Sequence, residues 1–171
     1  MPVDLGPVRR HTLSITVDNE AGVLARIVGL FSARGYNIES LTVADISDDH
    51  SVSRITVVTS GTDHVVEQII AQLDRLVPVH GVTDLTALGP HVERELALVK
   101  VAGSGDARVE ALRLADIFRA RAVDTTTASF VFEISGSTEK VNSFVALMRE
   151  VGLVEVARTG IAAMARGRDV I

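Results

Sequence analysis

The chain has 171 residues, of which 47% are hydrophobic and 4% aromatic, and its formal net charge is −5. This length suits one ordinary domain or two small ones, and the apolar share is large enough for a packed core, which excludes global disorder. The absence of cysteine excludes disulfides and thiolate sites, and the dispersed lysines and arginines lack the basic patch that is typical of a nucleic-acid binder.

The first half of the chain predicts the order strand, helix, strand, strand, helix, strand. Strand segments show apolar residues at every second position, and helical segments show them three and four residues apart. Gly35 is expected to end the first helix in a left-handed conformation, and Thr62 is expected to cap the second helix. The predicted strands are 11–18, 37–46, 51–59 and 79–88, and the predicted helices are 22–34 and 63–76.

The second half repeats this order without an evident sequence repeat. Gly89, Pro90 and His91 interrupt the pattern and mark a domain boundary. Beyond them we predict strands at 95–102, 130–134 and 153–156, a helix at 106–120, and a last helix capped by Ser137. The fold class is therefore α+β, with two ferredoxin-like βαββαβ domains at 11–88 and 92–160, and with tails at 1–10 and 161–171.

Each predicted sheet has helices on one face only, so the other face and the sheet edges are expected to be open. Domains of about 80 residues bury only about 60% of their unfolded surface and are marginally stable. We therefore expect the chain to form oligomers.

No common catalytic signature occurs in the sequence. A phosphate-binding loop, a dinucleotide-binding glycine pattern, a nucleophile elbow and a zinc-binding helix are all missing. The glycines before Asp106 are explained by a loop that ends in a helix-capping residue. The five histidines are far apart in sequence, and we expect them to be exposed in loops or at strand ends: His11, His50, His64, His80 and His91. No catalytic or metal-binding residue is predicted.

The connection between the first strand and the first helix is the informative stretch. Asn19 and Gly22 lie beside the unpaired amides of a helix N-terminus, which suit the carboxylate of an amino acid. Asn37, at the start of the next strand, can both donate and accept hydrogen bonds and so matches an amino-acid zwitterion. The alternative is structural: Asn19 is a turn residue, and Asn37 tolerates the backbone geometry that follows a helix. Local chemistry leaves both interpretations open.

The residues ITVDNEAGVLARIVGLFSARGYNIESLTV at 15–43 resemble the N-terminal ACT domain of the small regulatory subunit of acetohydroxyacid synthase, also called acetolactate synthase. The most specific part is RGYNIESLTV at 34–43, because ACT domains in general keep a glycine near the first helix and not this sequence. The resemblance continues at 53–57, 91–101 and 156–160, and therefore covers nearly the whole chain.

This resemblance implies a regulatory subunit without chemistry of its own. It would bind the large catalytic subunit, raise its activity and confer feedback inhibition by a branched-chain amino acid, usually valine. Thiamine diphosphate, magnesium and FAD are expected in the catalytic subunit, and no cofactor is expected in this chain. The implied effector site lies between two ACT domains of a homodimer and comprises these residues: Asn19, Gly22, Val23, Leu24, Asn37 and Ile38. The amides around Val23 and Leu24 would meet the carboxylate, and Ile38 would lie against the apolar side chain.

Two other functions stay open. One is a free-standing ACT-type amino-acid sensor that regulates another enzyme or a transcription system, and the other is a small enzyme that uses Asp45 or Glu39 as acid or base. No signal-peptide or membrane-spanning pattern is found, so the cytoplasm is the expected location, without a nucleic-acid or membrane partner. The preference among valine, leucine and isoleucine is not set by the sequence, since a methylene changes binding by only about 1–3 kcal/mol.

Overall fold

The computed structural model describes residues 6–171 and contains two compact units. The first unit includes the described residues up to Val92 together with Ile161–Ile171, and the second is Glu93–Gly160. The expected tail at 1–10 falls partly outside the described residues, which exclude 1–5, and its last two residues already belong to the first strand. The expectation of an α+β fold with two βαββαβ sheets is confirmed.

The first unit contains an antiparallel four-stranded sheet with the strand order β2-β3-β1-β4. Two helices, α1 and α2, pack against one face through a core of aliphatic side chains and Phe31. Thr62 caps α2 as predicted, because its hydroxyl accepts a hydrogen bond from the amide of Val65. The elements are β1 (Arg9–Asp18), α1 (Val23–Ala33), β2 (Ser40–Asp45), β3 (Val52–Gly61), α2 (Asp63–Leu73), β4 (Val79–Asp84) and a short helix α3 (Leu85–Leu88).

Several boundaries differ from the sequence predictions. The strand β2 begins at Ser40 and not at 37, because the chain first leaves α1 through Gly35, whose φ of 69° confirms the expected left-handed end. The last strand of the unit ends at Asp84 and does not continue to 88, because the Asp84 carboxylate accepts hydrogen bonds from the amides of Thr86 and Ala87. This cap starts α3.

The second unit has the same arrangement, with the strand order β6-β7-β5-β8. Its strand β6 was missed by the sequence analysis, because all five of its residues are exposed and show no alternation. The helix α4 buries Ala111, Leu114 and Ala115, whereas its apolar residues Val109 and Leu112 are exposed. The elements are β5 (His91–Ala102), α4 (Asp106–Ile117), β6 (Arg121–Thr125), β7 (Ser129–Gly136), α5 (Thr138–Val151) and β8 (Leu153–Arg158).

The segment 161–171 is not a tail, contrary to our expectation. It contains the strand β9 (Ala162–Ala165) and forms a second small core in the first unit, in which Ile161 and Ala163 pack with Val58 and Leu85. The amide of Ile161 also donates to the hydroxyl of Ser40 at 2.9 Å. Part of the sheet face opposite α1 and α2, around Val58, is therefore covered by α3 and this segment, and the prediction of an open face was wrong for that part.

Candidate functional site

The connection between β1 and α1 forms a helix N-terminus that no side chain caps. Gly22 has a φ of 88°, a conformation that glycine adopts without strain, and its carbonyl accepts the first intrahelical hydrogen bond, from the amide of Arg26. The amide of Val23 makes a long contact of 3.4 Å to the carbonyl of Glu20. The next two amides, those of Leu24 and Ala25, have no acceptor within the helix and can bind an anion.

The two apolar residues at this helix start have different environments. The Val23 side chain is 4% exposed and belongs to the core of the first unit, so only its backbone is available to a ligand. The Leu24 side chain is 40% exposed and can contact an apolar group directly.

Asn19 is held against the loop between β2 and β3. Its backbone amide donates to the carbonyl of Ser51 at 2.8 Å, and its Nδ2 donates to the carbonyl of His50 at 2.8 Å. His50 in turn pairs through its ring with Asp45, the last residue of β2. Because Nδ2 is the donor in this contact, the Oδ1 of Asn19 is left to accept a hydrogen bond from a ligand such as an ammonium group.

Three carboxylates near this helix start, those of Asp18, Asp45 and Asp49, are engaged by neighbours. Asp18 Oδ1 lies 2.5 Å from Nε2 of His80, and Asp45 contacts His50. Hydrogen bonds from Ser51 and then Ser47 lower the pKa of Asp49 from 3.8 to about 2.

Asn37 and Ile38 lie at the other end of the sheet. The carbonyl of Asn37 accepts a hydrogen bond from the Thr59 hydroxyl at 2.6 Å, and Thr59 is paired with His11 near the start of β1. Asn19, by contrast, follows the last residue of β1. The seven residue steps from His11 to Asp18 correspond to about 24 Å of extended strand. Within one chain, the structure brings Asn19, Gly22, Val23 and Leu24 together and places Asn37 and Ile38 far from them.

The side chains of Asn37 and Ile38 also differ from each other. Ile38 is half-buried and packs against the core of the first unit. Asn37 is exposed, and its side-chain amide makes no hydrogen bond within residues 6–171.

The expected exposure of the five histidines is wrong for His11. His11 is buried and not exposed as expected: its Nδ1 lies 2.7 Å from Asp84, and its Nε2 lies 3.3 Å from Asp63. The burial of His11 could have been predicted from the sequence, because alternate residues of a strand share one face and His11 is on the same face of β1 as Leu13 and Ile15. Its pairing with Asp84 depends on the neighbouring strand β4, which the local pattern does not specify.

The residues proposed for the enzymatic alternative are not brought together. Glu39 precedes β2 and contacts the Ser60 hydroxyl, whereas Asp45 ends β2 and pairs with His50. Across residues 6–171, no group of three or more histidine, aspartate or glutamate side chains is placed to hold a metal ion.

Comparison with protein families accounts for both units. Residues 13–81 match the model described as the AHAS small subunit-like ACT domain, and residues 94–167 match the model described as the small subunit of acetolactate synthase. The probable acetolactate synthase small subunit of Archaeoglobus fulgidus is 48% identical over 158 residues, which cover 92% of this chain and 98% of that protein. The chain belongs to the acetolactate synthase small subunit family.

Other members of this family agree in sequence and structure. The small subunit of acetolactate synthase isozyme 3 from Escherichia coli is 45% identical, with 95% of this chain and 99% of that protein covered. The crystal structure of the acetolactate synthase small subunit from Thermotoga maritima superposes with a TM-score of 0.85 at 38% identity, with 94% of this chain and 99% of that chain covered. The resemblance seen in the sequence and the assignment of the first unit as an ACT domain are confirmed. Within the described residues, no helix is both long and apolar enough to span a membrane.

Proposed function

We propose that the chain is the non-catalytic regulatory subunit of acetolactate synthase, which activates the catalytic subunit and makes it sensitive to feedback inhibition by a branched-chain amino acid, with valine as the first candidate. Membership of the small subunit family supports the partner. The observation that best supports an effector site is the uncapped start of α1 at Gly22, beside which the Oδ1 of Asn19 is left to accept a hydrogen bond.

The chemistry of this corner matches an amino-acid zwitterion. The amides of the first turn of α1 would bind the carboxylate, because they are unpaired donors at the positive end of the helix dipole. The Oδ1 of Asn19 would accept a hydrogen bond from the ammonium group. Leu24, which is exposed, and Ile38 would contact the aliphatic side chain.

A homodimer would complete this site, because Asn37 and Ile38 lie at the far end of the sheet in the same chain. The strand β2 is an edge strand of its sheet, and its last residue, Asp45, is paired through Ser53 with the end of β1. If β2 pairs antiparallel with the β2 of a second copy about a two-fold axis, the start of that copy's strand lies beside Asp45. The Asn37 of the second copy then lies level with Asn19 of the first, next to the His50 carbonyl that holds Asn19.

Effector binding across such an interface would bias the complex toward a less active arrangement. A coupling free energy of about 1–3 kcal/mol, which is typical of allosteric proteins, corresponds to a change of about 5- to 150-fold in affinity. Thiamine diphosphate, magnesium and FAD would reside in the catalytic subunit, and the complex would be located in the cytoplasm.

The test is acetolactate formation from pyruvate by the cognate catalytic subunit, measured alone, with this chain, and with this chain and valine. We expect activation by the chain and inhibition on adding valine. Activation without inhibition by valine, leucine or isoleucine would keep the partner and contradict the effector site. No change in rate on adding the chain would contradict the regulatory-subunit proposal and favour a free-standing sensor.

A further inference from the structure

The segment between α1 and β2 carries Asn37 and is attached at only a few points. On its N-terminal side, the amide of Tyr36 donates to the carbonyl of Phe31, and the two rings pack edge to face with centroids 6.5 Å apart. On its C-terminal side, the amide of Glu39 donates to the carbonyl of Val58, and the ladder between β2 and β3 follows. Between these two points, Asn37 is held through its carbonyl by the hydroxyl of Thr59 at 2.6 Å.

Thr59 is a rigid donor for this contact. Its residue is only 1% exposed, and its backbone lies in β3 between two neighbouring strands. A β-branched side chain has few χ1 rotamers, so the direction of the hydroxyl is set by the strand. Buried hydroxyl groups are almost always hydrogen-bonded, and here the acceptor is the Asn37 carbonyl.

Asn37 has no second constraint of this kind. Its side chain is exposed, and its amide makes no hydrogen bond within residues 6–171. The direction of this side chain toward an effector therefore depends on how firmly its own backbone is held, and Thr59 supplies the side-chain contact that holds it.

We infer that Thr59 is a positioning residue of the effector site, which acts by fixing the backbone of Asn37 and does not touch the effector itself. This inference rests on the proposed function, because it assumes that Asn37 contacts the bound amino acid.

Two substitutions at position 59 separate the hydroxyl from the packing. Thr59→Val keeps the β-branched shape and removes the donor, whereas Thr59→Ser keeps the donor and removes a methyl group. Thr56→Val is the matched control, because Thr56 lies on the same strand, is 4% exposed, and faces the opposite side of the sheet. The measurements are valine binding to the full chain by calorimetry and valine inhibition of the reconstituted enzyme.

We expect Thr59→Val to weaken valine binding and inhibition about fivefold, the range of one lost hydrogen bond, while activation of the catalytic subunit stays unchanged. Thr59→Ser and Thr56→Val should behave like the unmodified chain. We expect the far-UV circular dichroism of Thr59→Val to match that of Thr56→Val, so that weaker binding is not explained by loss of the fold.

Three other results would overturn the inference. If Thr59→Val binds valine normally while Asn37→Ala does not, the effector site stands and Thr59 has no part in positioning. If Thr59→Ser is as weak as Thr59→Val, the packing and not the hydroxyl is responsible. If Asn37→Ala and Thr59→Val both bind valine normally, the proposed effector site itself is wrong.

Discussion

Asn19 and Asn37 lie at opposite ends of the same four-stranded sheet. Asn19 follows the last residue of β1 and donates to the carbonyl of His50, whereas the carbonyl of Asn37 is bonded to Thr59, which is paired with His11 near the other end of β1. A ligand of amino-acid size cannot bridge the separation of about 24 Å that this register implies. An effector that contacts both residues requires two chains, and the first three predictions test this arrangement.

Replacing Asn37 with alanine should weaken valine inhibition by about tenfold and leave activation of the catalytic subunit unchanged. The substitution removes an exposed amide that makes no hydrogen bond within the described residues, so the fold should be unaffected. The measurement is the valine concentration for half-maximal inhibition of the reconstituted enzyme. Inhibition at the same valine concentration as the unmodified chain would show that Asn37 is not part of the site.

Replacing Gly22 with aspartate should abolish inhibition by placing a carboxylate where the effector's own carboxylate would bind. Gly22→Ala is the matched control, because any side chain at a φ of 88° costs about 1–2 kcal/mol of backbone strain, while the space around the added Cβ is open. We expect Gly22→Ala to lower the melting temperature at least as much as Gly22→Asp does, because aspartate tolerates a positive φ better than alanine, but to retain most of the inhibition. Equal loss of inhibition in both variants would assign the effect to backbone strain alone.

Replacing Val43 with aspartate should dissociate the homodimer. Val43 lies near the middle of β2 and is partly exposed, so pairing of this edge with its own copy would bring two carboxylates close together. Val77→Asp is the control, because Val77 is 93% exposed and lies in a turn outside the strands. The measurement is sedimentation velocity, with a dimer expected for the control and a monomer for Val43→Asp. A dimer in both cases would exclude pairing through β2.

Asp49 should keep its negative charge well below its ordinary titration range. Hydrogen bonds from Ser51 and Ser47 stabilise its ionised form and lower its pKa from 3.8 to about 2. Because the pKa in the folded state is depressed, the stability that this carboxylate contributes is present above pH 3.8 and is lost as the pH falls toward 2. Carboxyl NMR titration of the full chain should give this midpoint, and Ser51→Ala should move it toward 3.8. A midpoint near 3.8 for Asp49 in the unmodified chain would contradict the hydrogen bonding of this loop.

Replacing Ile161 with alanine should destabilise the first unit by about 2–4 kcal/mol. Ile161 is 3% exposed and packs with Val58 and Leu85, so the truncation leaves a cavity in this small core. Met164→Ala is the control from the same segment, because Met164 is 61% exposed and should lose less than about 0.5 kcal/mol. Urea denaturation of the full chain measures both values, and equal stability of the two variants would contradict the packing of this segment.

The alternation of apolar residues was sufficient to predict most of the sheet strands and the four long helices, because these elements each bury one face. It failed for β6, whose residues are all exposed, and for 161–171, whose buried residues are few. The helix start at Asn19 and Gly22, whose free amides can bind an anion, could be predicted from the sequence, because the two residues lie within four positions of each other. The distance of Asn37 from these residues could not be predicted, because it depends on the register of three strands.

The return of residues 161–171 to the first unit has a consequence for synthesis on the ribosome. Val58 and Leu85 emerge early, but Ile161 and Ala163, which cover them, emerge only after the whole second unit. At an elongation rate of about 5–20 residues per second this delay is on the order of ten seconds. During that interval Val58 and Leu85 of the nascent ACT domain stay uncovered, which makes this small apolar patch a candidate for chaperone binding or premature association between neighbouring nascent chains.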